Sequence, residues 1–264
     1  MAPSPDNPNS CVKRAFLTSG LALGLSLCLE GRAHGQIGSP PSRQTRTRIP
    51  ITATGQSAIS RVRGRLQIAY DDLDLVFGAP LYLRIVKEQR RLEVWVQGRR
   101  QNYVRLRTYR LCGTRPPIGP RQRAATTSQP EGFYSLGTTS LRPQPVTYLG
   151  IDINWPNAFD RTQGGAGASS LLQAGCVGAP HFGLTDQDME EVYTLVHSAL
   201  TFGQTGVPLH IFPFEMNRLR MMRAAQAPHI AFWRTLEPAW RLFDRTKKPP
   251  QVRILGRRYV VIEG

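Results

Sequence analysis

Two apolar runs with a charged turn between them set the first limit on how this chain can fold. Leu81-Tyr82-Leu83-Arg84-Ile85-Val86 and Leu92-Glu93-Val94-Trp95-Val96 flank Glu88-Gln89-Arg90. Leucine, β-branched and aromatic residues in short runs bounded by polar turn residues predict two paired strands. Gln97-Gly98-Arg99 supplies another turn, and residues 103–111 read as the next strand. Cys112, Arg115-Pro116-Pro117 and Gly119-Pro120 then open a loop. Residues 148–153 and 207–214 read as further short strands. Pro208 near the start of the last one predicts an edge position, because proline brings no N–H to a ladder.

Helical signals are fewer. Thr185 is a good N-cap, and Asp186 and Asp188 in the first turn suit the helix dipole. Met189, Val192, Tyr193, Val196 and Leu200 share one helical face, and Gly203 ends it. Ile59, Val62, Leu66, Ala69 and Leu73 predict a short amphipathic helix that runs into Asp71-Asp72-Asp74. In the tail, Ile230, Trp233, Leu236, Trp240 and Phe243 predict a face packed on the main domain, with Pro238 interrupting or restarting the helix. Residues 252–255 and 259–262, joined through Gly256-Arg257, predict a terminal hairpin. The expected class is α+β, mostly β, with a packed helix and a C-terminal helical and hairpin extension.

The chain has 264 residues, enough for one large domain with an extension. Its formal net charge is +16, and only Lys13, Arg14 and Arg32 against Asp6 and Glu30 fall before residue 36. Such a charge favours polyanionic partners: nucleic acid, an anionic surface or anionic wall polymers. Lys13-Arg14, the apolar run 15–29 and Ala33-His34-Gly35 predict an export signal over residues 1–35. Export to the periplasm sets nucleic acid aside. Leu25-Ser26-Leu27-Cys28 resembles a lipoprotein box with a bulky Leu27 before the cysteine, so a membrane-anchored lipoprotein is the lesser alternative. Residues 36–79 read as a basic linker with a short helix, 80–214 as the main domain and 215–264 as the extension.

The chemistry is concentrated between residues 156 and 193. Pro156-Asn157-Ala158-Phe159-Asp160-Arg161 leads to a small-residue run, then Gln173-Ala174-Gly175-Cys176, Pro180-His181-Phe182 and Thr185. This segment resembles the catalytic segment of the L,D-transpeptidase (YkuD-type) family, whose cysteine enzymes act on peptidoglycan stem peptides. The likeness is closest to the branch that detaches an outer-membrane lipoprotein from the wall. Lys87-Glu88-x-Arg90-x-Leu92, Pro130-x-Gly132-Phe133, Phe232-Trp233-x-x-Leu236-x-Pro238 and Thr246-Lys247-Lys248-Pro249-Pro250 extend it along the chain. The resemblance implies a β-sandwich or barrel domain, no cofactor, and stem peptides or a wall-linked protein as partners.

In that register the family's catalytic His falls on Gln173, its Ser on Gly178, its Gly on Pro180 and its nucleophilic Cys on His181. A neutral amide has no pKa suited to a base, and proline removes an N–H where the family has glycine. A degenerate member that binds without cutting is therefore expected. The alternative is an active transpeptidase or hydrolase with a rearranged site: Cys176 as nucleophile and His181 as base. Cys112 and Cys176 each match a cysteine of the related branch, which implies a disulfide between them, against a free Cys176 thiol. Ser169 or Ser170 with His181, and a metal held by His181 with Asp160 or Asp152, are weaker arrangements, and no metal site is expected. His197, His210 and His229 read as structural or solvent-facing.

Intact-mass and N-terminal peptide analysis of the protein from its native host should find a start near Gly35. A mature chain beginning at Met1 would defeat the export reading.

Overall fold

The computed structural model describes residues 48–113, 117–122, 127–142 and 148–262. The predicted export signal, with Lys13, Arg14 and Cys28, lies outside the described residues, as do Arg43 and Arg46 of the basic stretch. In chain order the elements are α1 (Ala53–Asp71), β1 (Leu81–Val86), β2 (Arg91–Gln97), β3 (Tyr103–Arg110), β4 (Gly132–Leu136), β5 (Leu141–Arg142), β6 (Gly150–Asp152), α2 (Ala158–Thr162), β7 (Leu171–Gln173), β8 (Phe182–Gly183), α3 (Asp186–Thr201), β9 (Val207–Phe212), α4 (Arg218–Arg223), α5 (Ile230–Thr246), β10 (Gln251–Leu255) and β11 (Arg258–Ile262).

Five strands form one sheet in the order β3-β2-β1-β9-β4, four short ones form a second in the order β5-β6-β7-β8, and β10 and β11 pair alone. The hairpin β1–β2 is antiparallel with Leu81 opposite Val96, as the two apolar runs require. Every residue of β1 is buried. The period-two alternation of a strand sends Leu81, Leu83 and Ile85 to one face and Tyr82, Arg84 and Val86 to the other. The first set joins Ile151, Leu172 and Phe182 of the short sheet, Val192 and Val196 of α3, and Val62 and Leu66 of α1 in the main core. On the other side, Val86 and Phe212 meet Trp233 and Trp240 of α5, while Tyr82 and Trp95 close on Phe243. The sheet is covered on both faces, which is why its central strand lacks a polar side.

α3 begins where the sequence indicates, with the Thr185 hydroxyl accepting from the Asp188 N–H at 3.1 Å. Met189, Val192, Tyr193, Val196 and Leu200 are all buried. Three expectations are corrected. First, the helix placed around residues 59–73 starts earlier, at Ala53 behind the N-cap Thr52, and buries Ala58, Val62, Leu66 and Tyr70. Ile68 and Leu73 are exposed. The short helix read within segment 36–79 is a longer helix packed into the core. Second, β9 is interior, parallel to β1 and antiparallel to β4. Pro208 is tolerated because its register with β1 begins one residue later, at Leu83 opposite Leu209. Third, α5 runs unbroken through Pro238. Trp233 and Leu236 before it and Ala239, Trp240 and Phe243 after it are buried, so packing on both sides holds the helix together across the missing N–H. Pro238 itself is exposed.

His210 lies buried in β9 with Nδ1 3.1 Å from the Tyr82 hydroxyl and Phe133 edge-on to its ring. Burial, with the Arg84 charge in support, pushes its pKa from 6.5 down to about 3. The folded protein therefore holds this imidazole neutral where the unfolded chain would protonate it. Its stabilising contribution is complete above about pH 6.5 and is lost as pH falls towards 3, by roughly 5 kcal/mol at most. Asp160, raised to about 6 by burial, acts in the opposite sense between pH 6 and its ordinary 3.8. Denaturant melts of the native protein and His210→Gln should therefore converge in stability as pH falls from 7 to 4. A constant difference would contradict the assignment.

Candidate functional site

The loop between β7 and β8 carries Gly178, Pro180 and His181, with Gln173 at the end of β7, and backbone contacts with the segment after β3 hold it. β7 and β8 are parallel neighbours, with Gln173 opposite Gly183. The Leu184 N–H donates to the Gln173 carbonyl at 2.9 Å, and the Cys176 N–H to the Leu184 carbonyl at 3.1 Å. The Cys112 N–H reaches the Gly183 carbonyl at 2.9 Å. A Cβ on Gly183 would come within 2.5 Å of the Val177 carbonyl oxygen, and one on Gly113 within 2.3 Å of the same atom, so three backbones meet where only glycine fits. Cys112 and Cys176 are joined in a disulfide, with Cα atoms 4.9 Å apart.

Gln173 is buried at the end of β7. His181 is half-buried and tied at three atoms. Its N–H donates to the Gly178 carbonyl at 3.2 Å, and its carbonyl accepts from the Gln129 side-chain amide at 2.6 Å. Its Nδ1 accepts from the Leu171 backbone N–H at 3.0 Å. A backbone N–H can only donate, so Nδ1 is the bare nitrogen and the neutral ring carries its proton on Nε2. Burial, and secondarily the Arg121 charge, lower the His181 pKa. The Arg121 guanidinium lies 3.9 Å over the Trp155 ring and donates to the Ser170 hydroxyl.

These bonds decide what each predicted residue can do. Cys176 has its sulfur in a disulfide and carries no thiolate, the form a nucleophile needs. Neutral imidazole has a single lone pair, and that of His181 is held by Leu171, so taking a proton means giving up that bond. Ser169 donates to Asp152 and Ser170 accepts from Arg121, so the bonds given to these hydroxyls lead away from His181. Asp160 accepts from the Tyr134 hydroxyl and the Asn157 N–H, each at 3.0 Å. Among the described residues no three His, Cys, Asp or Glu side chains gather as metal ligands. Gly178 and Pro180 complete the turn that presents His181.

Sequence reasoning missed the support behind His181. Lys87, at the end of β1, is buried with Nζ 2.7 Å from Glu131, 2.8 Å from the Gly119 carbonyl and 3.0 Å from the Gln129 carbonyl. Glu131 also accepts from the Gly119 N–H and the Trp233 indole N–H, each at 2.8 Å. Gln129 extends this cluster to His181. Lys87 and Glu131 were visible as parts of a hairpin and a turn, but nothing local announces a pair 44 residues apart.

No family model matches the chain. Over 186 residues it is 37% identical to Escherichia coli YafK, covering 70% of this chain and 75% of the relative, with two strains matched alike. The name of that protein assigns it to the L,D-transpeptidases without claiming a demonstrated activity. Among solved structures, the helical cell shape determining protein Pgp2 of Campylobacter jejuni is 12% identical over 72% of this chain and 80% of its own, with a TM-score of 0.40. Bdellovibrio bacteriovorus Bd1075 is 15% identical over 67% and 78%, with a TM-score of 0.39. Likeness at these scores carries no argument here.

The sequence separation across the disulfide is 64. A loop of that size stabilises by about 4 kcal/mol in the chain-entropy model. Paired Cys112→Ala and Cys176→Ala replacements should lower unfolding free energy by that order in denaturant titration, and a loss near zero would mean the bond is unformed in solution.

Proposed function

The chain belongs to the L,D-transpeptidase family, and from that premise we propose that it is an exported member that binds peptidoglycan or a wall-linked partner without the family's cysteine chemistry. The observation that carries the reading is the state of the loop after β7. The family's base position is Gln173, and its nucleophile position is His181, whose Nδ1 is occupied by the Leu171 N–H. The two cysteines that could offer a thiol are bonded to each other. The family frame persists around them: the Thr185-capped α3, the Gly132 turn and the tail helix.

Each retained group has a use in binding. The Nε2–H of His181 is a donor at a half-buried position, beside the fixed positive charge of Arg121. Gln173 offers a donor and an acceptor in place of a group that cycles a proton. A chain with a formal charge of +16 also attracts anionic wall polymers over distance. Export is supported by the charged start, the apolar run and the small-residue site of residues 1–35. No helix of the described residues is long and apolar enough to cross a membrane.

Purified peptidoglycan should sediment the protein while releasing no muropeptides detectable by mass spectrometry. Cys176→Ser should change stability without changing turnover. The combination Gln173→His, Gly178→Ser, Pro180→Gly and His181→Cys should move the loop towards activity. Robust turnover by the unaltered protein, abolished by Cys176→Ser or His181→Ala, would overturn the reading in favour of a rearranged Cys176/His181 enzyme. Failure to sediment with peptidoglycan would overturn the binding role.

A further inference from the structure

The tail does more than cover the sheet. A cavity of about 550 Å³ opens between the first turn of α5, the β10–β11 turn, α2 and the Pro120–Gln122 segment. Among the described residues, four arginines line it: Arg121, Arg234, Arg257 and Arg258. They come from three separate parts of the chain, so their convergence is a product of the fold and not of a basic run. Arg234, Arg257 and Arg258 are exposed, and none of the three is ion-paired among the described residues. The nearest bond any of them makes is a long one, from Arg257 to the Gln163 amide oxygen at 3.5 Å.

Phe159 and Phe232 line the same cavity, stacked with centroids 5.5 Å apart. Asp160 is the one acid among the described residues of the lining, and its carboxyl already accepts from Tyr134 and Asn157. It therefore does not neutralise the arginines across the opening by contact. The helix end adds a smaller effect in the same direction. His229 provides no side-chain cap to α5, and the positive end of the helix dipole faces the opening through Ala231 and Phe232. Planar guanidinium groups with spare donors bind carboxylates in bidentate pairs, and an aromatic wall holds the aliphatic part of such a ligand.

We propose that this cavity, built by the C-terminal extension, binds a peptide carrying two or more carboxylates. Such carboxylates can come from an acidic polypeptide segment or from wall peptides. The wall source rests on the functional reading above, whereas the cavity itself does not.

The test is calorimetric titration of the full chain with hexaglutamate and, separately, with a disaccharide tetrapeptide muropeptide, each compared with a form whose carboxylates are amidated. The expected result is binding of at least one carboxylate form, weakened about ten-fold or more by amidation and by the triple replacement Arg234→Gln, Arg257→Gln and Arg258→Gln. A control of equal charge loss, Arg63→Gln, Arg100→Gln and Arg110→Gln, should leave the affinity nearly unchanged, since those exposed arginines lie outside the cavity. Circular dichroism melts of both triple variants check that each is folded. Binding of hexaglutamate alone would assign an acidic protein partner, and binding of the muropeptide alone would assign the wall. Absence of binding by both, equal binding of the amidated forms, or equal losses in the two triple variants would overturn the proposal. Sedimentation with whole peptidoglycan is scored separately. Its loss with retained hexaglutamate binding overturns the wall reading and leaves this one standing, and its retention in the cavity variant with no titratable ligand does the reverse.

Discussion

The ion pair between Lys87 and Glu131 is the interaction on which the surroundings of the site depend. Both side chains are at most 2% exposed and meet at 2.7 Å. Two buried charges are stable only when their other bonding capacity is filled, and here it is: two backbone carbonyls complete the ammonium, and a backbone N–H and an indole N–H complete the carboxylate. Burial lowers the Lys87 pKa and the Glu131 charge opposes that fall. Truncating either partner would strand a charge, at a cost of roughly 3–5 kcal/mol. The pair fastens four separated segments: the end of β1, the Gly119 loop, the turn into β4 and α5. Gln129, whose carbonyl binds Lys87, then holds the His181 carbonyl with its side chain. The position of His181 is thus tied to the core through two hydrogen bonds.

The same logic explains why the C-terminal segment behaves as part of the domain. Arg84 points from β1 away from the main core, bonds Glu93 at 2.7 Å and Asp244 of α5 at 2.9 Å, and lies 4.0 Å over the Trp240 ring. Without α5 that arginine and the aromatic set Tyr82, Trp95 and Phe212 would face water. The extension also reaches back to the turn before β4. A Cβ on Gly132 would lie 2.7 Å from the Tyr259 hydroxyl, and Gly132 has φ +132, a backbone shape other residues rarely take. The glycine of the Pro-x-Gly-aromatic turn therefore answers to the hairpin over 100 residues later in the chain.

Much of this was legible in the residues. Strands β1 and β2, the cap of α3, its buried stripe and the terminal hairpin follow from local periodicity and turn chemistry, which need no knowledge of distant segments. What was not legible depends on tertiary context. Pro208 looks like an edge signal until the offset of the β1 register is known, and Pro238 looks like a break until packing on both sides is seen. The helix starting at Ala53 buries Ala58, Val62, Leu66 and Tyr70, and the stripe read from Ile59 shares Val62 and Leu66 with that face but ends on the exposed Leu73. At the site, the replaced positions were readable one by one. The bonds that occupy them were not, because the Leu171 N–H and the Gln129 amide come from outside the motif.

Those bonds also fix what the side chains around the β7–β8 loop can offer. A nucleophile needs a thiolate, or a hydroxyl hydrogen-bonded to its base, and the base needs its lone pair aimed at that proton. In this loop each reactive position is instead satisfied. The sulfur of Cys176 is bonded to Cys112, the Nδ1 of His181 to Leu171, and the hydroxyls of Ser169 and Ser170 to Asp152 and Arg121. Protonating His181 would set an Nδ1–H against the Leu171 N–H, so the lowered pKa and the loop geometry reinforce one another. Each of these bonds also restrains the loop and holds its donors and acceptors in place.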